Sequence, residues 1–365
     1  MQLSVCIIAK NEEKNIRRCL ESLKSYDVEI IVADTGSVDR TREIALEYTG
    51  CVYGFEWCDD FAAAKNFAIS KASNPYVLVL DCDEYIEELD MAQLTRLIME
   101  HPDEVGRIQR HNILTKRGMT GGNYEWISRI FAREIFFYEG RIHEQVTARS
   151  HMAYRTYRAP VTIGHTGYDL TGEDRRRKTE RNRRLLNSEL ERLKAAVARG
   201  GDDGQVDEQL PYILYQLGKS CYMAGDYLDA CGYFSEGLSY DLEPRLEYVV
   251  DMVETYGYAL LNSGQAESAL SFENIYDTFA KTADFHFLMG LIYMNNALYE
   301  TAIEEFTKAT TYRECRSMGV NSYAAYYNIG VILECLDRME EARNYYGQCG
   351  EYEPAEKRLA ALGMD

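Results

Sequence analysis

The sequence predicts an α/β domain followed by an all-α domain of repeated helical hairpins. Three observations carry that expectation. Short β-rich runs alternate with amphipathic helical stretches from Leu3 to about Ile98, the chain turns almost wholly helical after Gly172, and four similar segments recur toward its end. The expected boundaries are 1–172 for the α/β domain, 173–205 for a linker helix and loop, and 206–365 for the helical repeats. A chain of 365 residues accommodates two such cores.

LSVCIIA at 3–9 is the first strand, and Asn11 is placed to cap the next helix, whose Ile16, Cys19, Leu20 and Leu23 share one face. EIIVAD at 29–34 is a second buried strand. Thr35-Gly36-Ser37-Val38-Asp39 then turns the chain into a helix carrying Ile44, Ala45 and Tyr48. CVYGFEW at 51–57 reads as a shorter third strand, and FAAAKNFAISKA as a helix with Phe61, Ala64, Phe67 and Ala68 on one side. YVLVL is the fourth strand and runs straight into Asp81-Cys82-Asp83-Glu84. The alternation implies βαβ units and a largely parallel sheet. From Val105 to Gly167 the pattern is mixed, with GRIQRHNIL, WISRIF and VTIGH as strands.

The segment 173–199 predicts a charged helix with Leu185, Leu186, Leu190 and Leu193 as its packing stripe, broken by GGDDGQ at 200–205. Beyond it, LGKSCYMAGDYLDACGYF, YGYALLNSGQAESALSFE, MGLIYMNNALYETAIEEF and IGVILECLDRMEEARNYY align. They put Gly218, Gly257, Gly290 and Gly330 in one column and Ala230, Ala269, Ala302 and Ala342 in another. This spacing is close to the tetratricopeptide period with small insertions. Small residues recur where paired helices approach, Phe234, Phe306 and Tyr346 fill the next layer, and EPAEKRLAALG is the closing helix. Stacked hairpins share one core and offer a surface for a protein partner.

Bulk composition excludes several classes. A formal net charge of -19 argues against a general nucleic-acid binder, which needs basic surface to displace phosphate counter-ions. The local exception is RRRKTERNRR at 175–184, which reads as the solvated face of a linker helix or as a contact for anionic surface. The ten cysteines show no paired metal-site spacing, which points to reduced thiols. No transmembrane segment or signal-peptide pattern is present, so a cytoplasmic location is expected.

The chemistry gathers at strand ends. Open α/β sheets bind ligands outside the carboxyl ends of their strands, where Lys10-Asn11-Glu12, Asp34 and the Asp81/Asp83 pair all fall. Two carboxylates one residue apart suit a hard divalent cation, Mg²⁺ or Mn²⁺, which keeps positions open for substrate phosphates. A solvated acidic loop is the plain alternative. Glu12 also reads as a first-turn helix acid, Asp34 as a turn acceptor in DTGS, and Asn66 as an ordinary helix residue.

VCIIAKNEE, IIVADTGSVDRT, WCDDFAAAKNFAI and YVLVLDCDE, in this order, closely resemble family 2 glycosyltransferases of the GT-A fold, with its Rossmann-like mixed sheet. The best match is a bacterial subgroup in which tetratricopeptide repeats follow. The resemblance implies a nucleotide-diphosphate sugar, a UDP-sugar, held by the loop Ala9 to Glu12, Asn11 included, with Glu12 on the ribose. It implies Asp34 on the nucleobase, Lys65 and Asn66 near the nucleotide with Lys65 on phosphate, Asp81 near the ribose or metal shell, and Asp83 as the direct metal ligand.

An inverting transferase also needs a general base for the acceptor. EGRIHEQV resembles the His-Glu stretch of the repeat-bearing subgroup, so Glu144 is the expected base and His143 its alternative, the plain reading being that both order the acceptor loop through hydrogen bonds; Thr147 breaks any His-Glu-x-x-His zinc motif. His165 in GHTGY resembles a recurrent histidine near the end of such domains, and reads either as a further metal or diphosphate contact or as a buried, satisfied histidine. Arg129 and Arg133 bind phosphate or pair with acids; Trp57 and Trp126 pack, the latter where an acceptor-side aromatic would serve.

Resembling proteins act on bacteriocin peptides or on surface glycans, so a polypeptide or glycan acceptor is implied, and the repeat array favours a polypeptide by analogy. A non-catalytic repeat scaffold would not need intact acids at 12, 34, 81 and 83. A nucleotidyltransferase would open with a glycine-rich phosphate loop, which IIAKNEEKN lacks.

Overall fold

The computed structural model describes residues 3–116, 119–165, 172–198 and 204–363. Residues 200–203 of the break expected at 200–205 and Thr166–Tyr168 of the GHTGY stretch lie outside the described residues, as do the side chains of Arg175–Thr179 in the basic cluster, and the last two residues of that break, 204 and 205, already belong to a helix. The chain divides into two compact units, residues 1–175 and 176–365.

The first unit is built on an eight-stranded sheet. Its strands are β1 (Leu3–Ala9), β2 (Glu29–Asp34), β3 (Val52–Gly54), β4 (Tyr76–Asp81), β5 (Glu84–Leu89), β6 (Val105–Lys116), β7 (Met119–Ala132) and β10 (Thr156–His165). β8 (Phe136–Glu139) and β9 (Gln145–Ala148) form a separate antiparallel ribbon. The sheet order is β3-β2-β1-β4-β7-β6-β10-β5. β3, β2, β1 and β4 run parallel, β7 enters antiparallel to β4, and β5 closes the far edge antiparallel to β10. The parallel character expected from the sequence therefore holds for the first four strands, and the sheet as a whole is mixed. Chain order reverses between β1 and β4, the switch point at which such sheets bind ligands.

Three helices, α1 (Ile16–Glu21), α2 (Thr41–Leu46) and α4 (Met91–Glu100), cover one face through Ile16, Leu20, Ile44, Leu94 and Ile98. The other face is covered by α3 (Phe61–Ser70) and the β8–β9 ribbon. The buried face of α3 is Ala62, Ala64, Lys65, Ala68 and Ile69, whereas the expected Phe61 and Phe67 are only half-buried. Alanines let the helix approach the sheet closely, and the large rings are left at the margin, with Phe67 against Phe55. Asn11 does not cap α1, whose N-cap is Asn15. It adopts a left-handed conformation, φ 55°, tolerated by asparagine, and its Oδ1 accepts from Val38 N.

The second unit is helical: α5 (Gly172–Ala198), whose first turn holds the division, α6 (Gly204–Ala224), α7 (Tyr227–Gly237), α8 (Glu247–Asn262), α9 (Ala266–Ala269), a 3₁₀ turn (Leu270–Ile275), α10 (Tyr276–Phe279), α11 (Ala283–Asn295), α12 (Tyr299–Ala309), α13 (Tyr323–Cys335), α14 (Met339–Gly347) and α15 (Glu353–Leu362). The leucine stripe of α5 is buried, and one continuous core runs from Tyr215 to Ala355. The glycine column marks helix contacts: a Cβ on Gly290 would lie 2.6 Å from Phe306, and one on Gly330 2.5 Å from Tyr346.

The second hairpin departs from the pattern because Glu273 stands where the others carry an aromatic. Its ring comes one residue early, at Phe272. In an α-helix position 273 would share the face of Ala269; in a 3₁₀ turn, residues three apart eclipse, so winding 270–275 as 3₁₀ brings Phe272 onto that face. Both Ala269 and Phe272 are buried.

The close approach at Gly290 predicts that Gly290→Ala destabilises the repeats by about 1–3 kcal/mol through overpacking against Phe306. Denaturant unfolding followed by circular dichroism checks this, and an unchanged midpoint would refute it.

Candidate active site

The carboxyl end of β4 and the loop between β8 and β9 meet around a buried lysine. Lys65 projects from α3 with its side chain 3% exposed, its Nζ 2.9 Å from Asp81 Oδ1 and 2.6 Å from Glu144 Oε1. The ring of Tyr138 lies against it, 5.2 Å from Nζ to the centroid. Arg129 of β7 reaches Asp81 Oδ2 at 2.7 Å and Glu84 Oε1 at 3.1 Å. Burial and the neighbouring Arg129 guanidinium both oppose the charged form of Lys65, but Asp81 and Glu144 outweigh them and hold its pKa above the ordinary range. Burial likewise opposes ionisation of Asp81, and Arg129 and Lys65 overcome it, holding that carboxyl well below the usual carboxylate range.

The network continues along the sheet. Glu84 is buried, and its Oε2 accepts from the Asp81 backbone N while Oε1 also pairs with Arg110. Arg110 and Asn112 both donate to Glu125 Oε1, Asn112 Oδ1 contacts His165 Nδ1 at 2.8 Å, and His165 Nε2 faces Asp83 Oδ2 at 3.4 Å. With the Asn112 amide nitrogen committed to Glu125, its oxygen accepts, so Nδ1 of His165 carries the hydrogen. The other ring nitrogen, Nε2, is the one that lies toward the Asp83 carboxylate.

The residues expected at the site fall into three groups. Asp81, Asp83, Lys65, Glu144 and His165 belong to this one chain of contacts. Ala9, Asn11, Glu12 and Asp34 lie together where the β1 and β2 loops interlock. There Ala9 O accepts from Thr35 N, Asn11 N donates to Ser37 Oγ, and Glu12 N donates to Thr41 Oγ1. Glu12 Oε2 accepts from Asn15, and Asp34 Oδ1 accepts from Ser37 N, the turn bond of DTGS, with Arg42 3.9 Å from its Oδ2. Asn66 serves the backbone, and His143 lies in the loop between β8 and β9. The Asn66 amide donates to Tyr138 O and accepts from Tyr138 N, which clamps β8 to α3. His143 is left-handed, φ 52°, and its carbonyl accepts from Gln145 Nε2.

Arg129, expected on phosphate or paired with acids, is paired with acids. Glu84, Arg110, Asn112 and Glu125 were not legible as site residues. The available signal was charge interrupting apolar strands, as in GRIQRHNIL and WISRIF. Cys82 packs in the core between the two acids. Among the described residues no group of three or more His, Cys, Asp or Glu side chains is arranged to hold a metal ion, and no helix is long and apolar enough to cross a membrane.

Residues 4–157 match the family described as Glycosyl transferase family 2, and residues 283–314 and 323–356 match the tetratricopeptide repeat. A TPR repeat-containing protein of Synechococcus elongatus is 30% identical over 279 residues, 73% of this chain and 63% of that protein. A lipopolysaccharide core biosynthesis glycosyltransferase of Rhizobium meliloti is 30% identical over 128 residues, 34% of this chain and 47% of that protein. The SPbeta prophage-derived glycosyltransferase SunS of Bacillus subtilis is 27% identical over 190 residues, 50% of this chain and 44% of that protein. The chain thus spans less than two thirds of the length of each of these relatives. It carries a family 2 glycosyltransferase domain followed by tetratricopeptide repeats.

Proposed function

We propose that the protein is an inverting glycosyltransferase that moves a sugar from a nucleotide-diphosphate donor, a UDP-sugar, to a polypeptide or glycan acceptor, with the repeats positioning the acceptor or a protein partner. The observation that carries this reading is the facing pair Asp83 and His165 at the end of a buried ionic network beside the β1/β4 switch point. The name of the Rhizobium meliloti relative supports a glycan acceptor, and the repeats support a polypeptide.

The donor set suits Mg²⁺ or Mn²⁺. Asp83 gives a hard oxygen, and His165 gives a nitrogen whose other ring N–H is fixed by Asn112, the outer-shell arrangement of metal-bound histidines. Two protein ligands leave room for diphosphate oxygens and water. Such an ion, when bound, neutralises charge on the departing diphosphate.

Asp81 has each oxygen on a cationic side chain, so it positions the turn that carries Asp83. The interlocked β1 and β2 loops receive the nucleotide, with Glu12 toward the ribose and Asp34 toward the base. Glu144 accepts the acceptor proton as its nucleophile attacks the anomeric carbon, and Lys65 holds that carboxylate in place.

A panel of nucleotide sugars assayed for transfer and donor hydrolysis, with and without Mn²⁺, tests the reading; absence of nucleotide binding by every donor would sink it. Asp83→Ala is expected to lower metal-dependent kcat/KM by about a hundredfold or more with the fold intact by circular dichroism. Unchanged activity would reject its role as ligand. Glu144→Gln should cost about 10²–10⁴ in kcat while nucleotide binding persists, and a full rate would remove Glu144 as the base.

A further inference from the structure

A row of four side chains crosses four adjacent strands. Trp126 of β7 pairs in register with Gln109 of β6, Gln109 with Thr162 of β10, and Thr162 with Glu88 of β5. Directly paired residues project to one face of a sheet. All four line a single cleft of about 470 Å³, to which Asp90 and Gln93 at the start of α4 also contribute. That volume falls within the roughly 300–1,000 Å³ of small-ligand sites. The register of β10 shifts on both sides of Thr162, between Arg158 and Thr162 and between Thr162 and Ile163. Such irregularities re-aim side chains and occur beside binding sites.

The side chains of Gln109, Thr162 and Glu88 and the indole N–H of Trp126 make no hydrogen bond to other described residues, so their polar atoms contribute nothing to holding the strands together. Side by side they offer an amide that donates and accepts, a hydroxyl that does both, a carboxylate that accepts and an indole that donates. Beside them stands an aromatic wall, and the Arg158 guanidinium lies over its ring at 4.9 Å. A pyranose has the matching chemistry: adjacent hydroxyls that donate and accept around its rim, and an apolar C–H face that packs on an aromatic ring. Glu88 and Asp90 accept from hydroxyls there and Arg158 donates beside Trp126, whereas an apolar side chain would strip water from the polar row without replacing its hydrogen bonds.

We propose that this cleft binds a saccharide unit of the acceptor. Thr162 precedes His165 by three residues on β10, about 10 Å at strand rise. A sugar seated there lies outside the reacting centre, and its binding energy anchors the acceptor from a distance. The part in transfer rests on the glycosyltransferase reading above; saccharide binding itself does not.

The chain has two tryptophans, Trp57 and Trp126. Trp57 stands beside Lys10 of the β1 loop and reports on the donor side. The full chain labelled with 5-fluorotryptophan therefore gives two ¹⁹F resonances, assigned with Trp126→Phe. Free oligosaccharides of hexose, N-acetylhexosamine and deoxyhexose units are titrated separately from UDP. At least one saccharide is expected to shift the Trp126 resonance saturably and leave Trp57 unmoved, and Gln109→Ala with Thr162→Val should weaken that response about tenfold while the UDP response at Trp57 persists. A saccharide response without any UDP response upholds the cleft and overturns the donor assignment. Failure of every saccharide to move Trp126, or equal binding by the double variant, overturns the proposal.

Discussion

Lys65 carries its ammonium into the interior of the first unit and holds two carboxylates from distant parts of the chain, Asp81 on β4 and Glu144 between β8 and β9. Removing one partner from such a buried group leaves an uncompensated charge, at a cost of about 3–5 kcal/mol. The position of the Asp81–Asp83 turn and of the ribbon loop over the strand ends depends on this bridge. Arg129 doubles it from the other side, and Glu84 secures the backbone at Asp81. Asp81, held below its ordinary value of about 3.9, adds stability that is present above that pH and is lost as pH falls through the lower folded value. Lys65, held above its ordinary value of about 10.4, adds stability that is present below that pH and is lost as pH rises through the higher folded value. The Lys65–Asp81 pair therefore keeps both charges between those two values.

The second unit depends on a different constraint, the contact distance between paired helices. Gly218, Gly290 and Gly330 each lie under an aromatic ring, so the column of small residues and the column of rings are two halves of one contact. The second hairpin keeps the contact with its ring out of place by changing helix type. Side-chain packing there overrides the local preference for an α-helix, because 3₁₀ geometry costs less than an aromatic left outside the core.

Much of the fold was legible because it is written in local periodicity. The strands up to β4, the leucine stripe of α5 and the repeat columns all rest on spacings within one element or one repeat. β5 and the β8–β9 ribbon are not legible in the sequence. EYIEEL has three acids in six residues, which suits an edge strand but hides it from a hydrophobic pattern, and four-residue strands are too short to show alternation. The buried face of α3 is not the one its rings suggest, because close approach to the sheet selects its alanines and a lysine.

The sequence by itself determined two domains, the order of their elements, and the strand-end loops where acids collect, since these follow from hydrophobic spacing and turn chemistry. It also singled out Asp83, Glu144 and His165. The tertiary structure alone decided how the acids differ: Asp81 is held between two cations while Asp83 faces a histidine whose tautomer is set by Asn112. It also aligned Trp126, Gln109, Thr162 and Glu88 in one row. The physical reason is the same in both cases. Electrostatic partners and cross-strand neighbours are fixed by register and burial between segments far apart in the chain, and no local spacing encodes them.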